Sequence, residues 1–146
     1  MIKKYLLLFA VFILSCSSTQ REDALYSNTE LHDAVKNSNM PEISRILSEG
    51  ISVNLKGDKG YTPLHFAAIN NNSKIIQLLI DKGANIDLKN NYGYTPLHLA
   101  STFGNINAMK TLINNKADLN SKSNYGFTPL HNAVYYNKLS AVELLV

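Results

Sequence analysis

Thr62-Pro63-Leu64-His65, Thr95-Pro96-Leu97-His98 and Thr128-Pro129-Leu130-His131 are one tetrapeptide written three times, at a period of 33 residues. One more step back reaches Thr29-Glu30-Leu31-His32, which keeps the threonine, leucine and histidine and puts Glu30 where the others have proline. Self-similarity at a fixed period of this length is the mark of supersecondary units stacked in a row. Reading outward from each copy gives the shape of the unit.

Threonine is an N-cap residue, and proline at the first helical position gives up only an N–H that would be orphaned anyway. Each tetrapeptide therefore predicts a helix start. The helix runs through small residues, Ala67 and Ala68 in the second copy, and stops near Asn71 there and Gly104 in the third, residue types that tolerate left-handed backbone. A second helix follows, apolar at Ile75, Ile76, Leu78, Leu79 and Ile80, with Gly83 at its end. Gly60, Gly93 and Gly126 then suit a hairpin-like turn before the next threonine. One such helix pair cannot bury its own apolar face, so stability accumulates as copies stack.

Together with Ala67-Ala68, Leu78-Leu79-Ile80 and Gly83-Ala84-Asn85, these tetrapeptides resemble the ankyrin repeat. The resemblance implies an all-α repeat solenoid over residues 28–146, with repeats starting near 28, 61, 94 and 127 and the last one incomplete. In that pattern the positions of Phe66, Ile75 and Leu78 pack towards the preceding repeat, and their counterparts in repeat one are Asp33, Glu42 and Arg45. Repeat one therefore reads as a polar N-terminal cap. At the other end Val134, Leu145 and Val146 offer no polar cover. Lys116 stands where repeat two has Gly83, which predicts a looser turn.

Ahead of the repeats, Lys3 and Lys4 form a positive segment, Tyr5 to Leu14 an apolar run, and Ser15 a small residue before Cys16, the single cysteine. This is the pattern of an export signal over 1–15. Ten apolar residues rise only ~15 Å as a helix, about half a bilayer core. Ile13-Leu14-Ser15-Cys16 resembles a bacterial lipobox, which implies acylation at Cys16, a polar tether over 16–27 and a lipid-anchored location in the cell envelope. With one cysteine, neither an intramolecular disulfide nor a cysteine-built metal site can form.

The net charge of +3 falls to near balance once Lys3 and Lys4 are set aside, and the remaining basic residues are dispersed singly, so no nucleic-acid partner is expected. His32, His65, His98 and His131 share one repeat position. Stacked helices lie ~8–10 Å apart, too far for two imidazoles to hold one zinc at ~2 Å, and the family resemblance implies a structural histidine that bonds the helix start and adjacent backbone. No phosphate loop or His-x-x-x-His spacing appears, and identical repeats give identical environments where catalysis needs different ones. The expectation is a non-enzyme without cofactor or metal.

The aromatic residues point to what it does. In ankyrin stacks the variable groove positions lie on the finger before the Thr-Pro-Leu-His and on the later part of the first helix. Tyr61, Tyr92, Tyr94, Phe103, Tyr125, Phe127, Tyr135 and Tyr136 fall there, densest in repeats three and four. Tyr61, Tyr94 and Phe127 share one position and are expected to serve partly as framework; the other five are expected to point outward. Asn91, Asn124, Asp58 and Lys59 are expected to form a polar rim. Rigid aromatics supply contact area at low entropy cost, so the chain is expected to bind an unidentified protein through this face, as a monomer touching the membrane only through Cys16. The alternative is a self-associating structural unit pairing through its C-terminal repeat.

Overall fold

The computed structural model describes residues 30–146; the export segment, Cys16 and the tether lie outside them. Among the described residues there are eight α-helices in four pairs, a short 3-10 helix at Asp58–Gly60 in the first finger, and no strand. The pairs are α1 (30–36) with α2 (Met40–Ser48), α3 (Pro63–Ile69) with α4 (Ser73–Asp81), α5 (Pro96–Phe103) with α6 (Ile106–Asn114), and α7 (Pro129–Tyr135) with α8 (Leu139–Leu145). Helices α3, α5 and α7 pack in sequence as one layer, and α4, α6 and α8 as a second. None of these helices is long and apolar enough to cross a membrane.

The expected helix starts are met: a proline sits in the first turn of α3, α5 and α7, behind Thr62, Thr95 and Thr128 in extended backbone. The stops are met as well, with Asn71 at φ 54° and Gly104 at φ 69°. The core runs the length of the stack: Leu31, Ile43 and Ile46, then Leu64, Ile75, Ile76 and Leu79, then Leu97, Met109 and Leu112, all essentially closed to solvent. Each such side chain contributes about 1.5–3 kcal/mol of transfer free energy.

Asparagines tie the turns of successive repeats together. Asn70 donates to the carbonyls of Val35 and Lys36 (3.3 and 2.8 Å), and Asn105 to those of Ala68 and Ile69 (2.9 and 2.7 Å). These bonds satisfy helix-end carbonyls that the helix itself leaves open.

The N-terminal face is polar, as expected. Arg45 pairs with Glu42 at 2.7 Å, with Glu49, and with Glu30 at 3.8 Å, while Lys36 pairs with Asp33 at 3.3 Å. Such exposed pairs add little stability; they cover the end of the stack with hydrated groups.

The turn at Lys116 corrects the sequence reading. Lys116 adopts φ 69° and donates to Ile113 (2.9 Å), and Ala117 donates to Leu112 (3.0 Å), the same two bonds that Gly83 and Ala84 make to Ile80 and Leu79. The turn is as tight as its glycine counterpart, at a cost of about 1 kcal/mol for left-handed lysine.

Finger glycines fall into two kinds. Gly93 (φ 78°) lies against the backbone and side chain of Asn124 in the next finger, where a Cβ would collide, while Gly126 (φ 79°) has open space around it. Gly126→Ala therefore meets only the left-handed strain, about 1 kcal/mol. Gly93→Ala adds overpacking of ~1–3 kcal/mol. Urea denaturation should rank Gly93→Ala as the less stable of the two, and equal midpoints would contradict the packing.

Candidate binding face

Each finger closes across its base by a backbone bond, Gly57 N–H to the Tyr61 carbonyl (2.8 Å), Asn90 to Tyr94 (3.0 Å) and Ser123 to Phe127 (2.8 Å), above which Gly60, Gly93 and Gly126 N–H donate back to Gly57, Asn90 and Ser123. The side chain of Asn90 takes the N–H groups of Tyr92 and Tyr94 at 3.0 Å each, and Ser123 takes those of Tyr125 and Phe127 at 3.3 and 3.2 Å. The aromatic residues at the finger base are thus held by the backbone. Asn90 achieves this with its buried Nδ2 left unpartnered, a cost of about 1–3 kcal/mol that the smaller Ser123 avoids.

The histidines set the distance between fingers. Thr62, Thr95 and Thr128 N–H groups donate to Nδ1 of His65, His98 and His131 at 3.1, 3.1 and 3.3 Å. A ring nitrogen that accepts from an N–H carries no proton, so the proton is on Nε2. That Nε2–H of His65 donates to the Tyr94 carbonyl at 2.9 Å, and that of His98 to the Phe127 carbonyl at 2.9 Å; His32 Nε2 meets the Tyr61 carbonyl at 3.1 Å. The expected threonine hydroxyl cap is weak: His98 and His131 N–H reach Oγ1 of Thr95 and Thr128 at 3.4 Å. All three hydroxyls, of Thr62, Thr95 and Thr128, also lie 2.7, 2.9 and 2.7 Å from Nδ1 of His65, His98 and His131. Among the described residues no group of three or more His, Cys, Asp or Glu is placed to hold a metal.

Six of the eight expected aromatics line two clefts on one side of the fingers and inner helices. A cleft of about 240 Å³ is bounded by Tyr61, Tyr94, Phe103 and Tyr136 with Ile69, Leu99, Thr102 and Asn132. A larger one, about 560 Å³, is bounded by Tyr94, Phe127, Tyr135 and Tyr136 with Leu130, His131, Asn132 and Val134. The two share Tyr94, Asn132 and Tyr136. Phe103 is 52% exposed, Tyr135 78% and Tyr136 51%. Tyr92 and Tyr125 line neither cleft; Tyr92 is half-buried rather than outward, and the exposed Tyr125 has its ring 6.4 Å from that of Tyr94. Tyr61 and Tyr94 are half-buried, their rings 5.6 and 5.5 Å from His65 and His98, as expected of framework, whereas Phe127 is 44% exposed.

Two of the four rim residues have another task. Asn91 N–H donates to the Lys59 carbonyl (3.0 Å), Asn124 N–H to the Tyr92 carbonyl (3.1 Å), and Asn124 Nδ2 to the Asn91 carbonyl (2.9 Å), so Asn91 and Asn124 pair finger with finger. Sequence reasoning passed over a column of lysines. Lys56 Nζ donates to the Lys89 carbonyl (2.9 Å) and Lys89 Nζ to the Lys122 carbonyl (2.8 Å). Their common 33-residue spacing was the available signal.

Burial pushes the imidazole of His65 down to about 4, against the Tyr94 carbonyl, which favours the charged ring. It lowers that of His98 as well, against the Phe127 carbonyl. Folded His65 titrates below its ordinary value of 6.5, so the unfolded chain binds more protons between those pH values. The stability it supplies is full above pH 6.5 and is lost as pH falls towards 4. Going from pH 7 to pH 5 should cost about 2 kcal/mol through His65 alone, read from urea melts. An NMR titration showing His65 protonating near 6.5 in the folded chain would contradict this.

Residues 31–123 and 89–146 match the family model described as ankyrin repeats (3 copies). No curated protein matches the sequence.

Proposed function

The chain belongs to the ankyrin-repeat family, and we propose that it is an exported, lipid-anchored member that captures a protein partner on the aromatic clefts of repeats two to four. Ankyrin repeats generally mediate protein–protein interaction, and the family is typically non-catalytic. The observation that carries the reading here is the joining of two apolar concavities through Tyr94, Asn132 and Tyr136, with exposed rings on helix and finger backbones fixed by hydrogen bonds. Ordered aromatics in concave sites are the usual centres of binding energy.

The outer helices make the natural control, because Lys74 and Lys110 are exposed there, on α4 and α6. With a photocrosslinking side chain at Phe103 or Tyr136, adducts to one protein species should form in the producing cells, and none at Lys74 or Lys110. Tyr136→Ala should weaken the isolated complex by about 1–3 kcal/mol without unfolding the stack. Adducts confined to Lys74 and Lys110 would sink the groove reading.

A second reading rests on repeat four. Ala68 and Ser101 are closed to solvent, but their counterpart Val134 is 60% exposed, and the exposed Leu139 lies nearby in sequence on α8. This face would suit pairing with another subunit. The same crosslinker at Val134 then distinguishes the two, since adducts to a second copy of this chain favour self-association.

Anchoring is supported by the lysine pair, the apolar run and the Ile13-Leu14-Ser15-Cys16 sequence. Mature protein extracted from membranes should begin at Cys16 and carry acyl chains by mass spectrometry, and Cys16→Ala should remain unprocessed. An unmodified Cys16 in that fraction would remove the anchor from the proposal.

A further inference from the structure

The lysine column gives the binding face a sign. Lys56, Lys89 and Lys122 each stand one residue before the finger-closing bond whose other partner is Tyr61, Tyr94 or Phe127. Each finger base therefore carries a cation on one side and an aromatic ring on the other. All three lysines are exposed. Among the described residues the ion pairs are confined to repeat one, at Asp33, Lys36, Arg45 and the glutamates around it. Among the described residues no carboxylate is within ion-pairing distance of the column: the side chains of Lys56 and Lys89 reach backbone carbonyls, and the side chain of Lys122 makes no hydrogen bond. Lys56 and Lys89 stand near enough to His65 and His98 to oppose protonation of the rings, while the Asp118 carboxylate acts the other way on His98.

We propose that the aromatic clefts and the Lys56–Lys89–Lys122 column together receive an extended acidic segment of a partner protein, its carboxylates on the column and its bulky apolar side chains in the clefts. This rests on the groove reading above and adds the chemistry of the partner. Successive repeats stand about 8–10 Å apart. In the polyproline II form an extended chain has three residues per turn and rises about 3.1 Å per residue, so carboxylates at every third position share one face, about 9 Å apart, and meet successive lysines. Single-stranded nucleic acid, which also pairs cations with stacked rings, fits less well. The column holds three cations at a spacing wider than that of neighbouring phosphates, and the described residues as a whole carry nearly equal numbers of basic and acidic groups.

The test uses the full chain and a fluorescein-labelled dodecapeptide with glutamate at every third position and phenylalanine or leucine beside each, followed by fluorescence anisotropy. Versions with glutamine or lysine for glutamate, and a twelve-nucleotide oligothymidylate, serve as comparisons. The glutamate peptide should bind about tenfold or more tightly than the glutamine version, more weakly in high salt. The double change Lys89→Gln with Lys122→Gln should remove that preference, and Tyr136→Ala should weaken every peptide. Equal binding of the glutamine peptide, tighter binding of the lysine peptide or of oligothymidylate, or no saturable binding of the glutamate peptide overturns the proposal. If Tyr136→Ala weakens all peptides while the lysine changes do nothing, the groove reading stands and the acidic partner falls. If neither substitution alters binding, both fall.

Discussion

The bond from a histidine Nε2–H to the finger carbonyl of the next repeat is the constraint on which the rest of this structure depends. His65 and His98 each make it at 2.9 Å, while Nδ1 is occupied by the backbone N–H of Thr62 or Thr95. One neutral, buried ring thereby fixes three things: where its own helix begins, where the next finger lies, and hence the repeat-to-repeat offset. Apolar burial supplies most of the favourable free energy, but it is non-directional and would tolerate sliding between neighbouring helices. Hydrogen bonds from a fully buried imidazole are far less tolerant, because a misplaced ring leaves polar atoms unsatisfied.

This division explains which features could be read from the sequence. The helix pairs, their order and the polar first repeat were legible because they rest on local rules: a threonine cap, a first-turn proline, a left-handed stop and a run of spaced aliphatics. The Asn91 and Asn124 finger bonds, the Asn70 and Asn105 staples and the lysine column were not, although the residues were in plain view. Each joins residues about one repeat apart, and their geometry exists only once the stack has formed. Lys116 failed as a sequence signal for the opposite reason. A local rule disfavours lysine at φ 69°, but the bonds to Ile113 and Leu112 are retained at a cost the stack absorbs.

The candidate face was legible in composition and only partly in placement. Counting aromatics by repeat position found Tyr94, Phe103, Phe127, Tyr135 and Tyr136, which the structure gathers around two adjoining clefts. It overstated Tyr92, which is half-buried beside the Asn90 side chain that holds its N–H. It missed Leu99, Thr102 and Asn132, cleft residues whose positions on α5 and α7 read as ordinary helix interior. A residue's face on a helix can be inferred from periodicity, but whether the next repeat covers that face cannot.

At Tyr94 and Phe127 the fold and the proposed binding face use different atoms of the same residue. The N–H of Tyr94 is bound by Asn90, and its carbonyl accepts from both His65 and Asn90; Phe127 has the same three bonds, from Ser123 and His98. With the main chain fully committed, the side chain is the one part left to face solvent and a partner. The stack therefore tolerates tyrosine at 94 and phenylalanine at 127 with one unchanged main-chain pattern, while Tyr61 keeps the carbonyl bonds and sends its N–H to the Asp58 carbonyl instead. The same commitment keeps the rings on ordered backbone before any partner arrives. Less main-chain entropy then remains to be lost on association, which is how a small aromatic surface can hold a partner firmly.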